Sequence, residues 1–137
     1  MVNLKRLTIS MWAGIALLLA GCGNDDTGQT PQPADGPNLE FVAGSQFVNA
    51  DQAIPGETEF RTKVNATAGA AGNALARYQI TVAYDGGNAV TFLDTVISGQ
   101  LFEYTATALT RNTTGTEKWT FTVTDAQNKV SMGTNLV

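Results

Sequence analysis

Over most of the chain, apolar and polar residues alternate in short runs bounded by turn formers, the period expected of half-buried β-strands. Between Glu59 and Ala66, Phe60, Val64 and Ala66 share one face, with Glu59, Arg61, Lys63 and Asn65 on the other. From Ala76 to Tyr84, Tyr78, Ile80, Val82 and Tyr84 oppose Arg77, Gln79 and Thr81. The clearest run is Lys118 to Thr124, where Trp119, Phe121 and Val123 alternate with Lys118, Thr120, Thr122 and Thr124. Threonine suits the surface of a pleated sheet. Turn formers punctuate these runs at Pro55-Gly56, 68–73, Asp85-Gly86-Gly87-Asn88, Ser98-Gly99, 112–115 and 125–128. The pattern predicts strands near 40–43, 46–49, 58–67, 75–84, 89–96, 101–109, 117–124 and 129–137, with a tight hairpin at Asp85 to Asn88. Ala66 to Ala76 is alanine-rich, but Gly69 and Gly72 weaken a helix there, and the segment reads as a loop.

Roughly seven short strands in about 100 residues predict an all-β domain, an immunoglobulin-like antiparallel β-sandwich. Two sheets are required because one alone cannot cover its apolar face. Tyr78, Ile80, Val82, Phe102, Tyr104, Trp119, Phe121 and Val123 are the expected core. The segment from Lys129 to Val137 contains Gly133 and reads as a bulged, frayed or truncated last strand. Cys22 is the only cysteine, so no internal disulfide and no antibody-type Cys-Trp-Cys core can form.

The N-terminus follows a different pattern. Lys5 and Arg6 precede a mostly apolar run from Leu7 to Ala20. As a helix this run reaches only about 20 Å, short of a bilayer core of about 30 Å. A basic start, a short apolar run and small residues at its end make a signal-peptide pattern, expected to be helical. The ending, Leu19-Ala20-Gly21-Cys22, resembles the lipobox of bacterial lipoproteins. That resemblance implies a diacylglyceryl group on the Cys22 sulfur and cleavage between Gly21 and Cys22. Gly23 to Asn38 is polar and holds Pro31, Pro33 and Pro37, the composition of a disordered linker. The expected plan is a signal peptide at 1–21, a lipidated cysteine and linker at 22–38, and the sandwich at 39–137.

Phe41-Val42-Ala43-Gly44, Tyr104-Thr105-Ala106-Thr107 and the run from Gly115 to Asp125 resemble small Ig-like lipoprotein domains of Bacteroidetes-type bacteria. The resemblance implies fold and address and carries over no catalytic or binding residue. The residue after Cys22 is Gly23 rather than Asp, so the usual inner-membrane retention signal is missing. Asp25-Asp26 loosely resembles a surface-export signal. The expected location is the cell envelope, anchored by lipid in the outer membrane and, if that signal operates, exposed at the surface.

Charge and chemistry narrow the function further. The chain of 137 residues has a net charge of −4; removing Lys5 and Arg6 with the leader makes it −6. That balance excludes nucleic acid, which needs a basic footprint. With no histidine and a single lipidated cysteine, neither a Ser-His-Asp nor a Cys-His set is possible. No cofactor and no metal are expected. Asp85, Asn88 and Asp94 offer oxygen ligands of the kind calcium takes, but their spacing fits no known loop and a plain hairpin is the simpler reading. Glu57, Glu59, Glu103 and Glu117 read as solvated strand ends. Trp119 could stack on a sugar, although its alternation favours the core. Tyr84 and Phe92 could form an exposed aromatic pair. Asp94-Thr95-Val96 fits a short bacterial O-glycosylation pattern with Thr95 as acceptor, whereas the sequons at Asn65 and Asn112 mean little in a bacterium. The expectation is a non-enzymatic, lipid-anchored binding or structural module with an unidentified protein or glycan partner. The alternative is a small carbohydrate-binding lipoprotein of a surface glycan-uptake system.

Overall fold

The computed structural model describes residues 35–137. The expected signal-peptide helix, the cleavage point at Gly21, Cys22 and most of the expected linker lie outside the described residues.

Seven strands follow in chain order: β1 (Asn38–Phe41), β2 (Glu59–Thr67), β3 (Leu75–Tyr84), β4 (Val90–Val96), β5 (Leu101–Leu109), β6 (Glu117–Asp125) and β7 (Val130–Leu136). They form two antiparallel sheets, ordered β1-β2-β5 and β4-β3-β6-β7. The domain is therefore an all-β sandwich, as the alternation predicts. In a constant-type immunoglobulin domain the fourth strand joins the sheet of the first, second and fifth. Here β4 stays beside β3 instead. The connection explains this: Gly87 N–H donates to the Tyr84 carbonyl at 2.8 Å, and Asp85 and Gly86 both have positive φ, 52° and 74°. That is a type I′ hairpin turn, which suits Asp-Gly and keeps consecutive strands paired.

The inner faces meet in one apolar core of Leu39, Val48, Phe60, Val64, Ala66, Leu75, Tyr78, Ile80, Val82, Ala106, Trp119, Phe121 and Val123. Six of the eight expected core residues are fully buried. Phe102 and Tyr104 are half-buried because β5 is an edge strand, although both pack on Tyr78, with ring centroids 5.0 and 5.5 Å away. Trp119 is 3 % exposed and meets Phe60 edge-on at 5.4 Å.

Three expectations need correction. Residues 46–49 form no strand. Their backbone is met by scattered partners: Phe47 N–H by the Gly44 carbonyl, Val48 N–H by the Arg61 carbonyl, and the Val48 carbonyl by the Asn135 amide. The apolar pair is thus a plug, with Val48 buried at the sandwich margin. The last strand is neither bulged nor frayed, since β7 pairs with β6 in unbroken register from Lys118↔Leu136 to Thr124↔Val130. Gly133 is needed there because a Cβ would lie 2.7 Å from the Phe41 ring. Finally, packing begins inside the stretch read as linker. Gly36 and Pro37 are buried, and a Cβ on Gly69 would come within 2.0 Å of the Gly36 carbonyl oxygen.

Candidate functional site at the loop end around Arg111

The densest polar cluster lies at one end of the sandwich, where the β5–β6 loop meets the β3–β4 hairpin. The hairpin turn presents Asp85, whose carboxylate receives the Arg111 Nη2 donor at 2.5 Å and the Thr116 N–H at 2.9 Å. The Asp85 N–H donates back to the Thr116 carbonyl. Arg111 lies over the Tyr84 ring, 5.2 Å from its centroid, an attraction of about 0.5–1 kcal/mol at a partly exposed site. Gly115 makes this closure possible, because a Cβ there would fall about 2 Å from both Arg111 Nη2 and Asp85 Oδ1. The hydrogen bond from Arg111 and then that from the Thr116 amide hold the Asp85 carboxyl down at about 2.

Beneath this lid, Glu117 is 3 % exposed. Its Oε1 accepts the Arg111 N–H at 2.8 Å and its Oε2 accepts the Trp119 indole N–H at 3.1 Å. Arg111 Nε stands 3.9 Å from Glu117 Oε1, too far for a hydrogen bond, and is buried without a partner. Glu117 is therefore no solvated strand end, which corrects the sequence reading. Glu57, Glu59 and Glu103 are exposed as expected. Arg111 carries no periodic pattern in the sequence. Its signal was weak, a lone arginine beside a polar turn. The signal for Glu117 was present: it continues the period of Trp119, Phe121 and Val123 by two residues.

A cleft of about 430 Å³ opens over this cluster, lined among others by Ile54, Pro55, Thr110, Asn112, Thr113 and Val137. The carboxylates of the cluster are held by Arg111, the Thr116 amide and the Trp119 indole, and exposed hydroxyls and amides of Asn112, Thr113 and Thr114 rim the cleft. That chemistry can bind a polar surface.

The remaining sequence candidates scatter. Asp94 pairs with Arg77 and also accepts from Gln79, so Asp85 and Asp94 serve separate arginines rather than one ion. The hydrogen bond from Arg77 is the main cause of a lowered Asp94 carboxyl. Among the described residues no group of three or more carboxylates and cysteines is placed to hold a metal. Tyr84 and Phe92 do not pair: Tyr84 carries Arg111, and Phe92 meets Trp119 edge-on at 5.0 Å. The β3–β4 register shifts between Ile80 and Thr81, leaving Phe92 as the extra residue of a bulge, so its side chain joins Leu93 on the core side. Thr95 lies opposite the buried Tyr78 and is half-buried, so a glycan there would have to emerge from the inner side of an edge strand.

No family model matches the chain, and no curated protein or solved structure matches it either.

Proposed function

We propose that this chain is a lipid-anchored, non-enzymatic envelope protein whose sandwich serves as a binding or structural module. The observation that carries the reading is the Arg111 cluster. Its ionisable groups are held inside the cluster, Asp85 by the Arg111 guanidinium and Glu117 by the Arg111 backbone N–H and the Trp119 indole, and what faces solvent above them is Asn112, Thr113 and Thr114. Such an end is suited to recognition through loops, as is common in sandwiches. The address rests on Leu19-Ala20-Gly21-Cys22, with Cys22 as the acylated residue. Two or more acyl chains give stable membrane attachment, since each buried CH₂ contributes about 0.8 kcal/mol. Residues 23–34 would allow the domain to stand at most roughly 40 Å from the lipid. The proposed location is the outer membrane, with exposure at the surface if Asp25-Asp26 operates as an export signal.

A glycan-binding role is the lesser reading. It calls for aromatic rings presented on a sheet face, whereas Trp119 and Tyr78 are in the core and the outer face of β6 carries Lys118, Thr120, Thr122 and Thr124. The test of the anchor is Cys22→Ser in the full chain. The expected outcome is loss of detergent-phase partitioning and of the acylated mature N-terminus. Unchanged partitioning and an unchanged mature mass would refute it.

A further inference from the structure

The sheet edges of this molecule are not equally protected. An exposed edge invites pairing with another chain, and proteins blunt edges by shortness, bulges, charge or cover. β1 is four residues long, β4 carries the bulge at Phe92, and β7 packs beside β1. β5 has none of these devices. It runs nine residues in unbroken register with β2 and contains no Lys, Arg, Pro or Gly. Its one charge, Glu103, is met by Lys63 at 3.3 Å. Among the described residues no strand pairs with its other side.

The ladder determines which groups that side presents. Thr110 N–H donates to the Thr58 carbonyl, and the Gln100 carbonyl accepts from Ala68 N–H. Ladder hydrogen bonds recur at every second residue of an antiparallel strand. Even-numbered residues of β5 therefore bond to β2, while Leu101, Glu103, Thr105, Thr107 and Leu109 direct N–H and C=O outward. All five are exposed, Leu101 by 61 % and Leu109 by 64 %.

We propose that β5 is a self-association edge, at which two copies of this chain pair antiparallel about a two-fold axis through Thr105. The strand is complementary to itself in that register. Leu101 faces Leu109 of the second copy, and Glu103 faces Thr107 rather than another charge. On the inner side Phe102 faces Ala108 and Tyr104 faces Ala106, each large ring against a small residue. A slip of one residue sets outward-facing groups against groups already bonded to β2. A slip of two in one direction opposes the Tyr104 rings and leaves Leu109 unpaired; in the other it sets Glu103 against Leu109 and leaves Leu101 unpaired. The favoured register forms about ten hydrogen bonds along roughly 30 Å of strand and joins the two small sheets into one. The contact is isologous and closes on itself, as most dimer interfaces do. Val90 and Phe92, on the edge of β4 along the same flank, are 58 % and 46 % exposed and lose solvent as the copies meet.

The test is site-specific photo-crosslinking of the full chain in bacterial cells, with benzoylphenylalanine replacing Leu109 and, as a control, Met132 on the β7 edge. The expected result is an adduct of twice the chain mass from position 109 alone, mapping to the Leu101 end of the second copy. Thr105→Pro removes an N–H that faces away from β2, so it should cut the adduct at least tenfold while the circular dichroism spectrum stays unchanged. Thr105→Lys sets two positive charges across the axis and should do the same without altering the backbone. Absence of the adduct, an adduct of single-chain mass, one with a different protein, or a homodimer adduct that survives Thr105→Lys would overturn the proposal.

Discussion

β6 begins and ends on a buried carboxylate, and the two are held in different ways. At its start, Glu117 joins its own loop to the core: one oxygen takes the Arg111 N–H from the loop before it, the other the Trp119 indole N–H from within the core. At its end, Asp125 serves its own turn. One oxygen accepts both the Gln127 and Lys129 N–H groups, and the other accepts from the Asn73 amide. Both carboxylates close an end of the sandwich. Glu117 ties its loop to a core ring, whereas Asp125 ties two turns to each other, so damage at Glu117 should reach further into the core.

The strongest way to break the comparison is Trp119→Ala. It deletes the ring that meets Phe60 and Phe92 and leaves Glu117 Oε2 without its donor. The expected loss is about 3–5 kcal/mol, a large part of the stability of a small domain, read from chemical denaturation. A variant that melts normally would show the indole to be dispensable to the core.

Isosteric amides sharpen the contrast. In Glu117→Gln the two oxygens each face a donor, so the new NH₂ must oppose one of them, at an expected cost of about 2 kcal/mol. In Asp125→Asn both backbone donors can keep the single carbonyl oxygen. The NH₂ then faces Asn73, which can rotate to present its own oxygen. That variant should lose less than about 1 kcal/mol. Equal losses from the two, measured in parallel denaturation curves, would refute the asymmetry.

The smallest effect is on acid stability. Burial pushes the Asp125 carboxyl up, but the Lys129 amide, the Asn73 side chain and the Gln127 amide outweigh it and leave it below its ordinary value of 3.8. Asp94 is lowered too, and Asp85 is held at about 2. These groups bind protons more weakly folded than unfolded. Their contribution is therefore present above about pH 4 and is lost as pH falls through the folded values. Tm should be flat near neutrality and fall between about pH 4 and about pH 2. Asp85→Asn should flatten part of that fall, and an unchanged slope in this variant would contradict the assignment.

The sequence revealed the strands better than their polar fittings. Period two was enough to locate β2, β3 and β6, because Phe60, Tyr78, Ile80, Trp119 and Phe121 face a common interior. The same rule, carried one step further at each end of β6, places Glu117 and Asp125 inside. The charge of Glu117 points to solvent, and the donors that meet it, the Arg111 N–H and the Trp119 indole, reverse that preference. The Asp125 turn is visible as a turn because its two backbone donors, Gln127 and Lys129, are local, whereas Asn73 comes from 52 residues away. The Arg111 cluster joins positions 26 to 32 residues apart, Asp85 with Arg111 and Glu117, and nothing in the local pattern announces it. Phe47-Val48 misled for the opposite reason: an apolar pair beside a turn looks the same whether it enters a ladder or plugs a gap.

The contact between Phe41 and Gly133 has a mechanical meaning. A domain hung from its N-terminal side takes load first through β1, which is held to β2 by a register of four residues, from Asn38↔Thr67 to Phe41↔Val64. The Phe41 ring sits in the space left by the absent Gly133 side chain and meets Phe121 edge-on at 5.3 Å. It acts as a latch between the two sheets at the point where a pull enters. Until that ring is drawn out, tension on the N-terminal side is shared with β6 and β7 rather than peeling the first strand away.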